Sequence, residues 1–400
     1  MRITLGLTIA LLAVYGSACA QDDQRPRTSE AVAQPAATEQ QQSAAIVPQK
    51  SPTPSPVAFP GSATRITDGL EHPWGIAFLP GGRMLVTERP GRLRIVHPNG
   101  AMSAPLAGVP DVQARSQGGL LDVAVDPRFE QNQTIYLTFS EPGDDGTAGT
   151  SLAKARLGDG RLENVQVIYR QQPKVKGGGH FGSRIVFRND GTIFVTQGDR
   201  QSYSEQAQDL ASGIGKVVRI NPDGSIPKDN PFVGRDGVRP EIWSYGHRNI
   251  QSASLDAEGR LWTVEHGPRG GDEMHMPEAG KNYGWPVITY GVEYSGGKVG
   301  KGETEREGME QPVYYWDPVI APSGMVRYTG NRYPGWTGSY FVGSLTPGGL
   351  VRLTLANGRV SEERYLEELG RVRDVEQGPD GLLYLITDQK NGRLLRLDPR

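Results

Sequence analysis

Residues 183–199 read SRIVFRNDGTIFVTQGD, and this stretch decides the fold. An apolar segment, SRIVF, runs into the turn RNDG and out again through TIFVT, which is rich in β-branched and aromatic side chains. Asp190-Gly191 supplies the positive backbone angles that a two-residue hairpin turn demands, so the stretch reads as two antiparallel strands. The pattern recurs along the chain. The other instances are WGIAFLPGGRMLVTE from Trp74, LLDVAVDPRFEQNQTIYLTFS from Leu120, SASLDAEGRLWTVEHG from Ser252, MVRYTGNRYPGWTGSYFVGS from Met325 and VRDVEQGPDGLLYLITD from Val372. Glu258-Gly259 and Asp380-Gly381 repeat the turn chemistry, and a third strand often follows, as in GRLRIV from Gly91 and GRLLRL from Gly392.

One such unit is a small antiparallel sheet that cannot bury both faces alone. Stacking six of them around an axis buries the faces and leaves only short edges, which predicts an all-β, six-bladed β-propeller of four-stranded antiparallel blades. A β-sandwich rarely repeats one hairpin six times. The segment ATRIT from Ala63 is expected to pair into the last blade and close the ring. The 338 residues from Ala63 to Arg400 allow roughly 56 per blade, somewhat more than propeller repeats usually need, so the excess is expected in loops.

Upstream, Arg2, the apolar run from Ile3 to Val14 and the small residues Gly16-Ser17-Ala18-Cys19-Ala20 read as a secretory signal over residues 1–20. The run is too short to span a bilayer. Cleavage after Ala20 would release the chain; cleavage before Cys19 would leave a lipid-anchored cysteine at the new N-terminus. Either outcome implies a periplasmic or secreted protein, and Cys19 is the only cysteine, so the mature part has no disulfide and no thiol nucleophile. Residues 21–62 are rich in Gln, Ala, Pro, Ser and Thr with one aromatic, Phe59, the composition of a disordered linker. The catalytic propeller is expected over 63–400. A formal charge of −2 without basic blocks excludes nucleic acid as a partner.

Function in a propeller sits on loops at the mouth of the central channel, and four segments there carry unusual polar residues. In GGGHFGSR, residues 177–184, glycines permit close approach of the backbone to a ligand, and His180 suits proton abstraction near neutral pH. Asp199 ends the next strand, and the hairpin returns it to the same end as His180, where it could orient the imidazole. In SYGHRNIQ, residues 244–251, Arg248 can stabilise charge developing on an oxygen and Asn249 can bind a polar ring edge; His247 reads as structural. EHGPRGGDE, residues 265–273, with GKNYGWP, residues 280–286, offers carbonyl oxygens and carboxylates that suit calcium, without EF-hand spacing. In GRVRD, residues 370–374, Arg371 and Arg373 share one face of an extended strand, an arrangement that suits carboxylates taken bidentately.

These segments, in this order on one propeller, resemble the soluble pyrroloquinoline-quinone (PQQ) aldose sugar dehydrogenases of the glucose/sorbosone dehydrogenase family, from HPWGIAF near His72 to the last blade. The resemblance implies oxidation of an aldose at C1 to the lactone. His180 would take the hydroxyl proton, hydride would pass to the quinone, Asp199 would hold the imidazole tautomer, and Arg248 would stabilise the quinone oxygen. It also implies PQQ contacts from Gln117, Asn249, Arg371 and Arg373, with Tyr294, Trp316 and the segment around Ser323 lining the cofactor and sugar pocket. A catalytic calcium would be held by the carbonyls of Gly267 and Pro268, and a structural calcium by Glu273 and Tyr283. Electrons would leave to a periplasmic cytochrome or quinone-linked carrier, from a monomer or a dimer.

One departure stands out. Many members carry a lysine after FVGSL to neutralise a PQQ carboxylate, whereas this chain has Thr346. A charge-assisted contact is worth about 1.5–3 kcal/mol, so its loss would weaken cofactor affinity about tenfold to a hundredfold. Two other classes compete: a calcium-dependent sugar lactonase-type propeller, which needs side-chain carboxylates around its central metal, and a non-catalytic envelope binding propeller, which needs neither the His–Asp pair nor paired arginines.

Overall fold

The computed structural model describes residues 47–400. The leader, the Cys19 anchor and residues 21–46 of the linker therefore lie outside the described residues. Six antiparallel sheets follow one another along the chain, and their first strands contact each other in a ring, giving a six-bladed β-propeller. Every blade starts on the axis and works outward. In the third blade, for example, Ile185–Phe187 pairs with Ile193–Thr196, which pairs with Lys216–Ile220 and then Ile242–Tyr245. The turn between the first two strands contains Asp190-Gly191 as read from the sequence, but only Gly191 has a positive φ, +84°. The loop is longer than the two residues expected, since the Arg188 N–H donates to the Thr192 carbonyl and the Gly191 N–H to the Arg188 carbonyl.

The blades vary around the four-strand plan. The first has three strands, Pro73–Phe78, Met84–Glu88 and Arg92–Val96, and its outer edge is covered by an irregular segment through a bridge between Val96 and Met102. In the last blade the outermost strand comes from the start of the propeller: Gly61–Leu70 pairs with Gly392–Pro399, Ala63 opposite Leu397, and closes the ring as expected.

The fourth blade gains a fifth strand, which corrects the linker boundary. Gln49–Lys50 adds in parallel to Tyr314–Trp316, Ser51 donates a hydrogen bond to Glu362 at 2.5 Å, and Phe59 is buried edge-on against Tyr333, Trp336 and Tyr365. Residues 47–62 thus strap the outside of the last three blades. Burying Phe59 is worth about 1.5–3 kcal/mol and adds to the strand pairing and the Ser51–Glu362 bond in holding a segment of polar composition.

Between blades lie separate apolar layers. Leu85, Leu93, Leu137 and Ala153 fill the space between the first and second, and Val264, Met274, Val342 and Leu353 that between the fourth and fifth. The axis itself is polar. Arg184, buried, reaches Asp122 at 3.1 Å and Asp374 at 3.0 Å, donates to the Gln251 carbonyl, and stacks 4.3 Å from the centre of the Trp74 ring. It joins five blades and plugs the channel beneath the mouth.

Candidate active site at the propeller mouth

Above that plug, a cavity of about 570 Å³, part of it open to solvent, is lined by Gln117, His180, Arg248, Asn249, Tyr294, Arg371 and Arg373, all singled out from the sequence. Trp74, Arg89, Gln251, His266 and Leu345 complete the lining.

His180 sits at a strained position. Its φ of +48° is left-handed, and its N–H donates to Gln117 Oε1 at 2.8 Å. A Cβ on Gly198 would collide with the His180 carbonyl, so the following strand can approach this closely only as glycine. Arg200, beneath the loop, donates to the carbonyls of Gly177, Gly179 and Ala148. His180 Nδ1 lies 2.6 Å from Asp199 Oδ1, the pairing that the hairpin predicted. Burial lowers the His180 pKa below its ordinary value, against the opposing pull of Asp199. The imidazole is therefore neutral near pH 7, with its proton on Nδ1 toward Asp199 and Nε2 free as a base.

The arginines carry the electrostatics. Asp388 accepts from Arg371 at 3.0 Å and Arg373 at 2.5 Å, while its other oxygen meets His72 at 3.2 Å. Burial opposes ionisation of Asp388, but Arg373 and Arg371 together hold the carboxyl well below the usual range. Arg89 has no carboxylate within ion-pair distance among the described residues, and the buried Nε atoms of Arg248 and Arg373 have no hydrogen-bond partner. No carboxylate lines the cavity. An anionic ligand fits this donor set, and an orphaned buried guanidinium nitrogen is costly unless something accepts from it.

A second groove shares His266 and Tyr294 with the first and is lined by Gly267, Pro268, Arg269 and Asp317. The carbonyls of Gly267 and Pro268 accept no hydrogen bond from a described residue, which leaves two oxygen donors for a hard cation. Asn249, by contrast, spends its amide oxygen on the Gly182 N–H.

Two expected lining residues lie elsewhere. Trp316 is fully buried on the outer strand of the fourth blade, its Nε1 donating to Glu362, because that strand lies away from the axis. Ser323 is on an inner strand but below the cavity, donating to the Val372 carbonyl. Glu273 and Tyr283 also stand apart from the cavity. Glu273 meets His275 at 3.1 Å, and Glu265, Glu273 and His275 bring ligand atoms within 4.8 Å of one another. Tyr283 stacks on His247, and its hydroxyl donates to the Met276 carbonyl, leaving only its main-chain carbonyl for a cation. His247 is structural as expected, held between Ser244 and Glu265.

The fold and the mouth together define an oxidoreductase propeller. The family described as Glucose / Sorbosone dehydrogenase matches residues 70–396, and the chain belongs to that family. It is 46% identical over 343 residues to the Escherichia coli protein named Aldose sugar dehydrogenase YliI, covering 84% of this chain and 92% of that one. The crystal structure of the soluble aldose sugar dehydrogenase from Escherichia coli in the apo form superposes with a TM-score of 0.82 at 45% identity, covering 85% of this chain and 99% of that one. A PQQ-bound aldose sugar dehydrogenase from Streptomyces coelicolor superposes at 0.70 with 28% identity, covering 86% and 99%.

Proposed function

We propose that this chain oxidises aldose sugars at C1 to the lactone, with PQQ and calcium at the mouth and electrons passed to an external periplasmic carrier. The observation that carries the reading is the coincidence of a neutral, Asp-oriented histidine and orphaned buried guanidinium nitrogens on one cavity. When bound, the quinone supplies the acceptor for the C1 hydride and calcium polarises it.

The chain's own residues do the rest. His180 Nε2 accepts the C1 hydroxyl proton, and Asp199 stabilises the imidazolium that results. Arg371 and Arg373, preset by Asp388, hold cofactor carboxylates, and Arg89 adds a cation that offsets the missing lysine at Thr346. Arg248 faces the charge that develops during reduction. Gln117 and Asn249 hold the His180 loop through its backbone and so shape the cofactor wall. Gly267 and Pro268 hold the catalytic calcium. Glu273 and the Tyr283 carbonyl take a second calcium that braces the loop carrying Arg248, since Glu265 beside them accepts from the Arg248 N–H. Tyr294, 69% exposed at the junction of the two grooves, gives a sugar ring an aromatic face.

The lactonase alternative needs carboxylates around a central metal, and the cavity wall has none. The deciding experiment is reconstitution of the purified full-length chain with calcium and PQQ, following reduction of an artificial acceptor across a panel of aldoses. Sugar-dependent reduction that requires PQQ is expected; absence of PQQ binding at every calcium concentration would overturn the proposal.

A further inference from the structure

We infer that Trp285 is a positioning residue that sets the basicity of His180 and the placement of Arg248 together, an inference that rests on the reading of His180 as the base. Its indole Nε1 donates to Asp199 Oδ2 at 2.8 Å. The other carboxylate oxygen, Oδ1, receives His180 Nδ1 at 2.6 Å and the Gln201 N–H at 2.7 Å. Three donors on both oxygens therefore fix the orientation of a carboxylate that is fully buried. The same indole lies beneath Arg248, 5.1 Å from guanidinium carbon to ring centre.

Trp285 is itself held. Its N–H donates to the Gly246 carbonyl, and its carbonyl accepts from Gln208, whose amide also pairs with Asn282. One side chain on the GKNYGWP loop thus touches both the group that orients the base and the cation across the cavity.

The charge logic gives a direction. An indole N–H on Asp199 spreads its negative charge, so Asp199 attracts a protonated His180 less strongly than a carboxylate lacking that donor would. The charged groups facing His180 are Asp199, Arg248 and Arg200, and Trp285 contacts the first two directly. Removing only the N–H raises the affinity of His180 for a proton, and the base becomes protonated at higher pH. Removing the ring as well releases Arg248 from its shelf.

The test is a titration that needs neither cofactor nor substrate. The chain has six histidines, and the His180 resonances are assigned with His180→Gln in protein labelled with ¹⁵N-histidine. In Trp285→Phe, which keeps an aromatic under Arg248, the His180 midpoint moves to higher pH. The acid limb of kcat/KM in the reconstituted enzyme follows it, and kcat/KM at pH 6 falls by about tenfold, the scale of one charge-assisted hydrogen bond. In a background of Asp199→Asn the same substitution leaves the His180 midpoint in place. Should Trp285→Phe not fold, benzothienylalanine at position 285, isosteric but without the N–H, replaces it. An unmoved midpoint, or an equal shift with and without Asp199, would overturn the inference. A moved midpoint in a protein that never oxidises sugars would instead sink the proposed activity and leave the positioning role standing.

Discussion

Arg184 and Arg373 both lie at inner strands, both are buried, and both face the indole of Trp74, at 4.3 and 6.0 Å. Their surroundings differ. On the axis, burial works against the charge of Arg184, but Asp374 and Asp122 outweigh it and its pKa rises. At the mouth, burial lowers the pKa of Arg373, since Asp388 is shared with Arg371 and His72 and leaves the Nε unpaired. The first arginine is satisfied by the fold, whereas the second keeps one nitrogen without a protein acceptor. The proposed function gives the first a structural role and the second a ligand-binding one.

That contrast can be broken at its ends. His180→Ala is expected to cost turnover about 10⁴-fold, near the upper end of what a positioned base contributes, while PQQ binding and the denaturation midpoint stay in place; full activity in this variant would end the mechanism. Arg371→Gln combined with Arg373→Gln is expected to weaken PQQ binding about a thousandfold, two charge-assisted contacts' worth, which a fluorescence titration reads, and to lower the midpoint as well, because both changes leave Asp388 buried without a cation. On the axis only stability is at stake. Arg184→Met strands Asp122 and Asp374 and is expected to cost about 3 kcal/mol of stability in urea unfolding, with PQQ affinity nearly unchanged in whatever remains folded.

Smaller changes sharpen the mouth. Thr346 is exposed beside Leu345, whose carbonyl accepts from Arg371, so Thr346→Lys is expected to tighten PQQ binding about tenfold in the same titration. A weaker or unchanged affinity would mean that Arg89 already supplies that charge in full. The smallest effect is in pH. Since burial lowers the His180 pKa below 6.5, the neutral base persists to lower pH, and the acid limb of kcat/KM is expected below that value; a limb above it would place a different group in the base's role.

Much of the fold was legible because hairpins announce themselves locally: Asp190-Gly191 with alternating apolar flanks needs no tertiary context. The His180–Asp199 pair was legible for the same reason, since a hairpin returns the chain to its starting end. Arg89 and Asp388 were not, because loops of different blades bring them together and no local pattern marks them; His266 and Trp285 lay inside segments read only as oxygen donors for calcium. Trp316 and Ser323 carried the right residue types for a pocket wall, but their radial position and depth depend on which strand of the blade they occupy. The strap over 47–62 was hidden by its polar composition, with Phe59 the one clue.

The pairing of Ala63 with Leu397 also orders events in time. Gly61–Leu70 is made before five blades and its partner only after them, so the ring stays unsealed through most of the propeller's synthesis. Loss of Gly392–Pro399 would leave Gly61–Leu70 as an open edge seeking another partner. Closure of this ring thus depends on two segments that emerge far apart in time.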